Sequence, residues 1–347
     1  MHMAQYRSSG KELRKSPKGV IAALILIVLL AAGAFGIRMV LNGMESLVPE
    51  PVSEAEISVP DSETESSEDP NALKLTTFLY ETEKLHHGPL VMINSDFPTT
   101  EIETGLVSVF EQKNEYITTR DMQVYLMDEA TLALNQLAAK YFEATGRRDI
   151  LVRNAYVSYD EQKQRYETEL AAAGTTSGVT AAIPGGNELE SGYSFELGLY
   201  VNGMFMEYSP EGDAGWILEH CAEYGFVQRY PEGKSDYTHV DDQPWIFRYV
   251  GVPHSWYMYK NGLCLEEYLD LLESNPADGQ HLTVKDQLGR SYELYYVSVD
   301  PNNPAIETDV PCPAECKYKI SGNNKHGFFI TAELGWDNQD TWTSGLS

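Results

Sequence analysis

The chain reads as an α+β protein with a mostly antiparallel sheet, and three observations predict it. Helical periodicity is confined to a few segments, chiefly 128–145, 158–173 and 265–273, set among short apolar runs of strand length. The connections are irregular and rich in Gly, Ser and Thr, without the regular strand–helix–strand alternation of a doubly wound sheet. After residue 275 the texture changes to period-two alternation broken by turn clusters, which predicts a small β-rich appendage over 276–347.

Ahead of this fold, residues 1–18 form a basic tail with Arg7, Lys11, Arg14, Lys15 and Lys18 against Glu12 alone. Residues 19–37 are uncharged and dominated by Val, Ile, Leu and Ala. At about 1.5 Å per residue they nearly span a hydrocarbon core of roughly 30 Å. The basic flank keeps the N-terminus cytoplasmic and the remainder outside, as in a single-pass protein of the cell membrane with an extracellular domain. A cleaved signal peptide is the other reading, although the apolar run exceeds a typical signal core. Residues 38–73 form a linker, acidic and without a basic residue over 45–69, that cannot bury enough apolar surface to order itself.

The main domain is expected over 74–275. GPLVMIN (88–94) reads as a short buried strand. Residues 128–145 read as a helix with Asp128 as N-cap and Gly146 as its stop. A strand follows at 150–155. Ser158 and Glu161 form an S-x-x-E capping box that opens a helix to about residue 173. Residues 175–190 read as a long surface loop, 200–208 as a strand, and 214–224 as a helix ending at Gly225. A strand at 245–250 and a helix at 265–273 close the domain. In the appendage, 291–299, 317–320 and 328–331 read as strands, with a turn cluster at 321–327 and a loose end from 336.

The 347 residues suffice for one large core or two smaller ones, and the formal charge of −27 argues against nucleic acid or an anionic membrane surface as partner. Of the four cysteines, Cys221, Cys264, Cys312 and Cys316, the last two have the spacing of a small-loop disulfide. Free thiols and a metal half-site are the alternatives. His220, His239 and His254 with Asp241 and Asp242 are candidates for a metal site, as are His86, His87 and Asp96, although no known ligand spacing fits. Tyr156, Tyr159, Tyr193, Phe195, Tyr200, Trp245 and Tyr249 suit either an aromatic groove or a core.

The densest pattern is RYPEGK (229–234), PWIFRYVG (244–251) and GLCLEEYLDLL (262–272), preceded by AYVSYDEQ (155–162) and SGYSFELGLYVN (191–202). In order and spacing these segments resemble the VanY-type zinc D-alanyl-D-alanine carboxypeptidases over roughly residues 88–272. The resemblance implies a D,D-carboxypeptidase/hedgehog-like fold and a place in peptidoglycan metabolism. The family's first zinc motif is S-x-H-x-x-G-x-x-x-D. Aligned through Gly198, it puts Phe195 at the zinc His and Asn202 at the zinc Asp. Its E-x-x-H motif falls on Gln243, at the catalytic Glu, and Ile246, at the zinc His. The Arg that holds a substrate carboxylate falls on Val157.

Phe195 and Ile246 offer no lone pair, Gln243 cannot take a proton from water, and Val157 has no guanidinium fork. No histidine lies between His87 and His220, so no shift of the first motif restores its His. The expectation is therefore a pseudoenzyme without zinc, with Phe195 and Ile246 packed together where the metal would sit. It would bind a peptidoglycan stem peptide, a glycan or an envelope protein through a groove of Tyr156, Ser158, Tyr159, Gln162, Trp245 and Arg248. The alternative expectation is an active D-Ala-D-Ala carboxypeptidase using an unrecognised site.

Overall fold

The computed structural model describes residues 73–99, 104–300 and 306–336. The expected membrane anchor, the acidic linker and the tail beyond 336 lie outside them. Among the described residues no helix is long and apolar enough to cross a membrane.

In chain order the strands are β1 (Leu75–Glu81), β2 (Leu106–Ser108), β3 (Ile117–Thr119), β4 (Tyr125–Met127), β5 (Ile150–Asn154), β6 (Ser194–Val201), β7 (Met204–Glu207), β8 (Phe226–Tyr230), β9 (Gln243–Tyr249), β10 (Leu282–Lys285), β11 (Arg290–Ser298), β12 (Glu307–Pro313), β13 (Lys317–Gly322) and β14 (Gly327–Trp336). The α-helices are α1 (Val109–Gln112), α2 (Asp128–Thr145), α3 (Tyr159–Ala173), α4 (Gly215–His220), α5 (Ser235–Thr238), α6 (His254–Asn261) and α7 (Leu265–Glu273).

The central sheet runs β3-β5-β6-β9-β8, with β7 hairpinned onto β6. All its pairings are antiparallel except β3 with β5. A second sheet runs β10-β11-β14-β13, and β1 pairs with β12. The α+β class with antiparallel sheets is therefore as expected.

Helix α2 follows its apolar stripe. Leu134, Leu137, Ala138 and Tyr141 are buried against Ile150, Val152, Phe195, Leu197 and Phe247 of the central sheet. Its N-cap is Met127 rather than Asp128, which is already helical, and Gly146 ends it in the left-handed region. Helix α3 carries the full capping box of Ser158 and Glu161.

Other expectations are corrected. Residues 88–94 form no strand, although 90–93 are buried, because their backbone groups are taken by distant partners. The carbonyls of Pro89 and Val91 accept from Arg248, and the Met92 N–H donates to Asn323. The strand expected at 200–208 is a hairpin, with Asn202 and Gly203 both at positive φ between β6 and β7. Asn-Gly is the commonest two-residue hairpin turn.

The C-terminal sheet is no separate appendage. Val284, Tyr292, Leu294, Tyr296 and Phe329 share one core with Met258 of α6, Leu265, Tyr268, Leu269 and Leu272 of α7, and Leu90 and Met92. Cys312 and Cys316 are free thiols, as are Cys221 and Cys264. Cys312 is buried in the core between β1, β12 and the second sheet, whereas Cys316 sits on the turn after β12.

Candidate functional site

The face of the central sheet away from α2 is built around one buried carboxylate. Glu188 opens a 3-10 turn (Glu188–Ser191) capped by Asn187. Its Oε2 accepts from Arg229 at 2.8 Å and its Oε1 from Arg248 at 2.5 Å and from the Ser194 hydroxyl at 2.6 Å. Burial pushes the Glu188 carboxyl up, but Arg248, Arg229 and Ser194 together hold it below the usual carboxylate range. Arg229 also grips Glu266 on α7, and Arg248 the segment 89–91. Lys234 pairs with Glu267. The arginines of RYPEGK and PWIFRYVG thus hold the fold together, which corrects Arg248 as a groove residue: it is fully buried.

In front of this cluster lies the main cleft, with a volume of about 530 Å³. Strand pairing fixes what it displays. Ser194 faces Arg248, Phe195 faces Phe247, and Glu196 faces Ile246 across β6 and β9. Because strand neighbours alternate between faces, Glu196 and Ile246 share the cleft face. Phe195 points the other way and stacks on Phe247 at 5.9 Å in the α2 core.

Two of the expected metal positions are therefore corrected. Phe195 and Ile246 lie on opposite faces of the sheet and form no joint pocket. Asn202 is on the β6–β7 hairpin, six strand residues or roughly 20 Å from Glu196 at ~3.3 Å per residue. The motif fits a second register, through Gly192 instead of Gly198. That register reads Asn187, Leu189, Gly192 and Glu196 at the Ser, His, Gly and Asp positions. Leu189, Glu196, Gln243 and Ile246 all line the main cleft, so geometry selects it. The sequence carried the signal, since both glycines fit the spacing, but only strand facing distinguishes them.

Gln162 lines the same cleft and is buried; its Oε1 accepts from Asn187 and its amide donates to Ala182. Glu196 accepts from Asn154 at 2.5 Å, and Asn154 in turn accepts from Arg120. Tyr156, Val157 and Ser158 line a neighbouring side cleft of about 390 Å³. Tyr159 is exposed on the first turn of α3, and Trp245 packs partly buried on the α2 side of the sheet. The expected groove is thus divided between two clefts, the core and the surface. Of the aromatic set, Tyr193, Phe195 and Tyr249 are core residues.

A family model for D-alanyl-D-alanine carboxypeptidase, VanY, matches residues 123–252. A D-alanyl-D-alanine carboxypeptidase of Enterococcus faecium is 30% identical over 259 residues, covering 73% of this chain and 78% of its own length. The chain belongs to the VanY family. The putative carboxypeptidase YodJ of Bacillus subtilis is 30% identical over 151 residues, 42% of this chain and 54% of its own. The vancomycin-resistance D,D-dipeptidase VanXYg, solved with a D-Ala-D-Ala phosphinate analogue, superposes with a TM-score of 0.63 at 27% identity. That match covers 75% of this chain and 99% of the VanXYg chain.

VanY-family zinc would need about three donors and an open position. At the cleft positions this VanY-family chain presents Leu189, Glu196 and Ile246, a single donor side chain, with Gln243 where a base is required. These residues do not fit a catalytic zinc. Among the described residues no three His, Cys, Asp or Glu side chains converge to hold a metal. The histidines are placed apart. His220 stacks on Trp216 and bonds Glu223, His86 bonds Asn324, and His254 is buried between Tyr268 and Thr331.

Proposed function

We propose that this VanY-family protein is a pseudoenzyme that binds a peptidoglycan stem peptide without cleaving it. In this proposal residues 19–37 hold the domain at the outer face of the membrane. The observation that carries the reading is the pairing of Glu196 with Ile246 beside Leu189 and Gln243. Of the four motif positions one keeps a carboxylate, and the other three hold groups that neither ligate zinc nor accept a proton from water. Relatives named for D-Ala-D-Ala hydrolysis supply the ligand class.

The test is calorimetric titration of the full chain with a muramyl pentapeptide ending in D-Ala-D-Ala, with D-Ala release followed in parallel. Saturable binding is expected, with no D-Ala released whether zinc or chelator is added. Turnover would sink the reading in favour of a carboxypeptidase with a different site.

A further inference from the structure

Strand β13 is an edge of the C-terminal sheet and pairs with β14 on one side. Two hydrogen bonds fix which backbone groups its other side offers. The Asn323 N–H bonds the Gly327 carbonyl, across the β13–β14 ladder, whereas the Gly322 N–H bonds the His87 carbonyl on the opposite side. In an antiparallel ladder a residue's N–H and C=O point the same way, and successive residues alternate. Lys317, Lys319 and Ser321 therefore bond to β14, while Tyr318 and Ile320 turn their N–H and C=O outward. Among the described residues no backbone group pairs with these outward groups.

Side chains alternate too. Ile320 packs on the core of Val310, Phe328 and Ile330, and Lys317 and Lys319 are exposed on the other face. Beside Lys319 and Ile320 lies a cavity of about 290 Å³ that shares no lining residue with the main cleft. Its lysines are Lys84 and Lys319 and its carboxylate is Glu129. Lys319 holds Glu129 at 3.0 Å, and Lys84 contacts Glu81 at 3.9 Å, the outer limit of an ion pair. The cavity thus sets two ammonium groups against one carboxylate.

We propose that the outer edge of β13 docks an extended segment of a partner protein that alternates apolar and acidic residues. Such a segment adds a strand through the outward groups of Tyr318 and Ile320. The residue opposite Lys319 then forms a non-hydrogen-bonded pair, the closest side-chain approach in an antiparallel ladder. Its carboxylate meets Lys319 and Lys84 at the cavity, and its apolar neighbours share the face of Ile320. A second copy of the chain is disfavoured by the same charges, because pairing this edge with itself sets lysine against lysine. Edge lysines alone serve to keep strands from pairing, but here a cavity beside them receives an acidic side chain. The formal charge of −27 does not oppose this, since exposed charges beyond about 8–10 Å are screened and the nearby lysines decide.

The experiment follows amide hydrogen exchange of the full chain, resolved to single residues, with two capped pentapeptides, Val-Glu-Val-Glu-Val and Val-Lys-Val-Lys-Val. At about ten times its Kd the Glu probe is expected to slow exchange at Tyr318 and Ile320 about tenfold. Exchange at Lys319, whose amide already bonds β14, should not change. The double variant Lys317→Glu with Lys319→Glu, checked for an unchanged melting temperature, should reverse the preference and take the Lys probe. Equal protection by both probes in the unmodified chain, or by neither, overturns the proposal. Protection of Tyr318 and Ile320 that grows with chain concentration in the absence of probe means that a second copy covers the edge, and it overturns the proposal too.

Discussion

At the residue scale, the choice between Gly192 and Gly198 as the motif glycine makes opposite statements about which side chains could hold a metal. The double substitution Leu189→His with Ile246→His puts two imidazoles beside Glu196 on one face of the sheet. It is expected to raise zinc content to about one per chain after dialysis, measured by plasma mass spectrometry. The alternative set, Phe195→His with Ile246→His and Asn202→Asp, spreads its donors over two faces and a hairpin. It should gain no zinc and should lose about 2–4 kcal/mol from a polar ring in the α2 core. Equal zinc in both would mean that strand facing does not decide the site.

The Glu190 carboxyl sits on the same turn. Burial pushes it up to about 7 against the pull of the Asn187 and Gly185 amides. A carboxyl whose pKa is higher folded than unfolded costs stability once ionised, so the cost appears as pH rises from about 4.5 to about 7. Glu190→Gln is therefore expected to fare better against the unmodified chain at pH 8 than at pH 5. The difference is on the order of 1–3 kcal/mol by urea unfolding.

At the element scale, legibility follows the reach of the forces involved. Helices α2, α3 and α7 were readable to within a residue because their periodicity, capping box and glycine stop are local signals. Residues 88–94 were misread because an apolar run reports burial, whereas a strand needs a partner, and here Arg248 and Asn323 take the backbone groups. Strand β1 was missed because its partner, β12, lies more than two hundred residues away. The arginines of the RYP and RYVG motifs were visible in the sequence, but their common target Glu188 lay inside an apparent surface loop.

That target joins five elements: the 3-10 turn, β6 through Ser194, β8, β9 and, through Arg229, α7. Glu188→Gln leaves buried Arg248 without a carboxylate and Arg229 with Glu266 alone, and a loss of about 3–5 kcal/mol is expected. The folded carboxyl lies below its unfolded value, so its contribution is present above about pH 4.5 and fades as pH falls through the folded pKa. The variant should lack that acid-dependent part of the unfolding curve. A variant with the acid limb unchanged would show that Glu188 is not the charge the two arginines need.

At the scale of the whole molecule, the central sheet and the C-terminal sheet are joined through α6 and α7, and His254 is a buried polar link at that joint. Its Nδ1 lies 2.8 Å from the Tyr268 hydroxyl on α7 and its Nε2 lies 2.9 Å from the Thr331 hydroxyl on β14. Burial, with Lys319 nearby, lowers its pKa to about 3. The ring is neutral in the fold and takes up a proton on unfolding. Stability should therefore be full above about pH 6.5 and decline as pH falls towards 3, by on the order of 3–5 kcal/mol at the acid end.

His254→Gln keeps a neutral donor and acceptor without the titration, so its stability should change less between pH 7 and pH 4.5 than that of the unmodified chain. Truncation after Asn275 tests the same joint mechanically. It removes Tyr292, Leu294, Tyr296 and Phe329 from the core shared with α6 and α7, along with the Thr331 partner of His254. The truncated chain is expected to lose cooperative unfolding and to be cut by protease within α6 and α7. A truncated chain that melts as sharply as the full one would mean that the two sheets fold independently, in spite of the core they share.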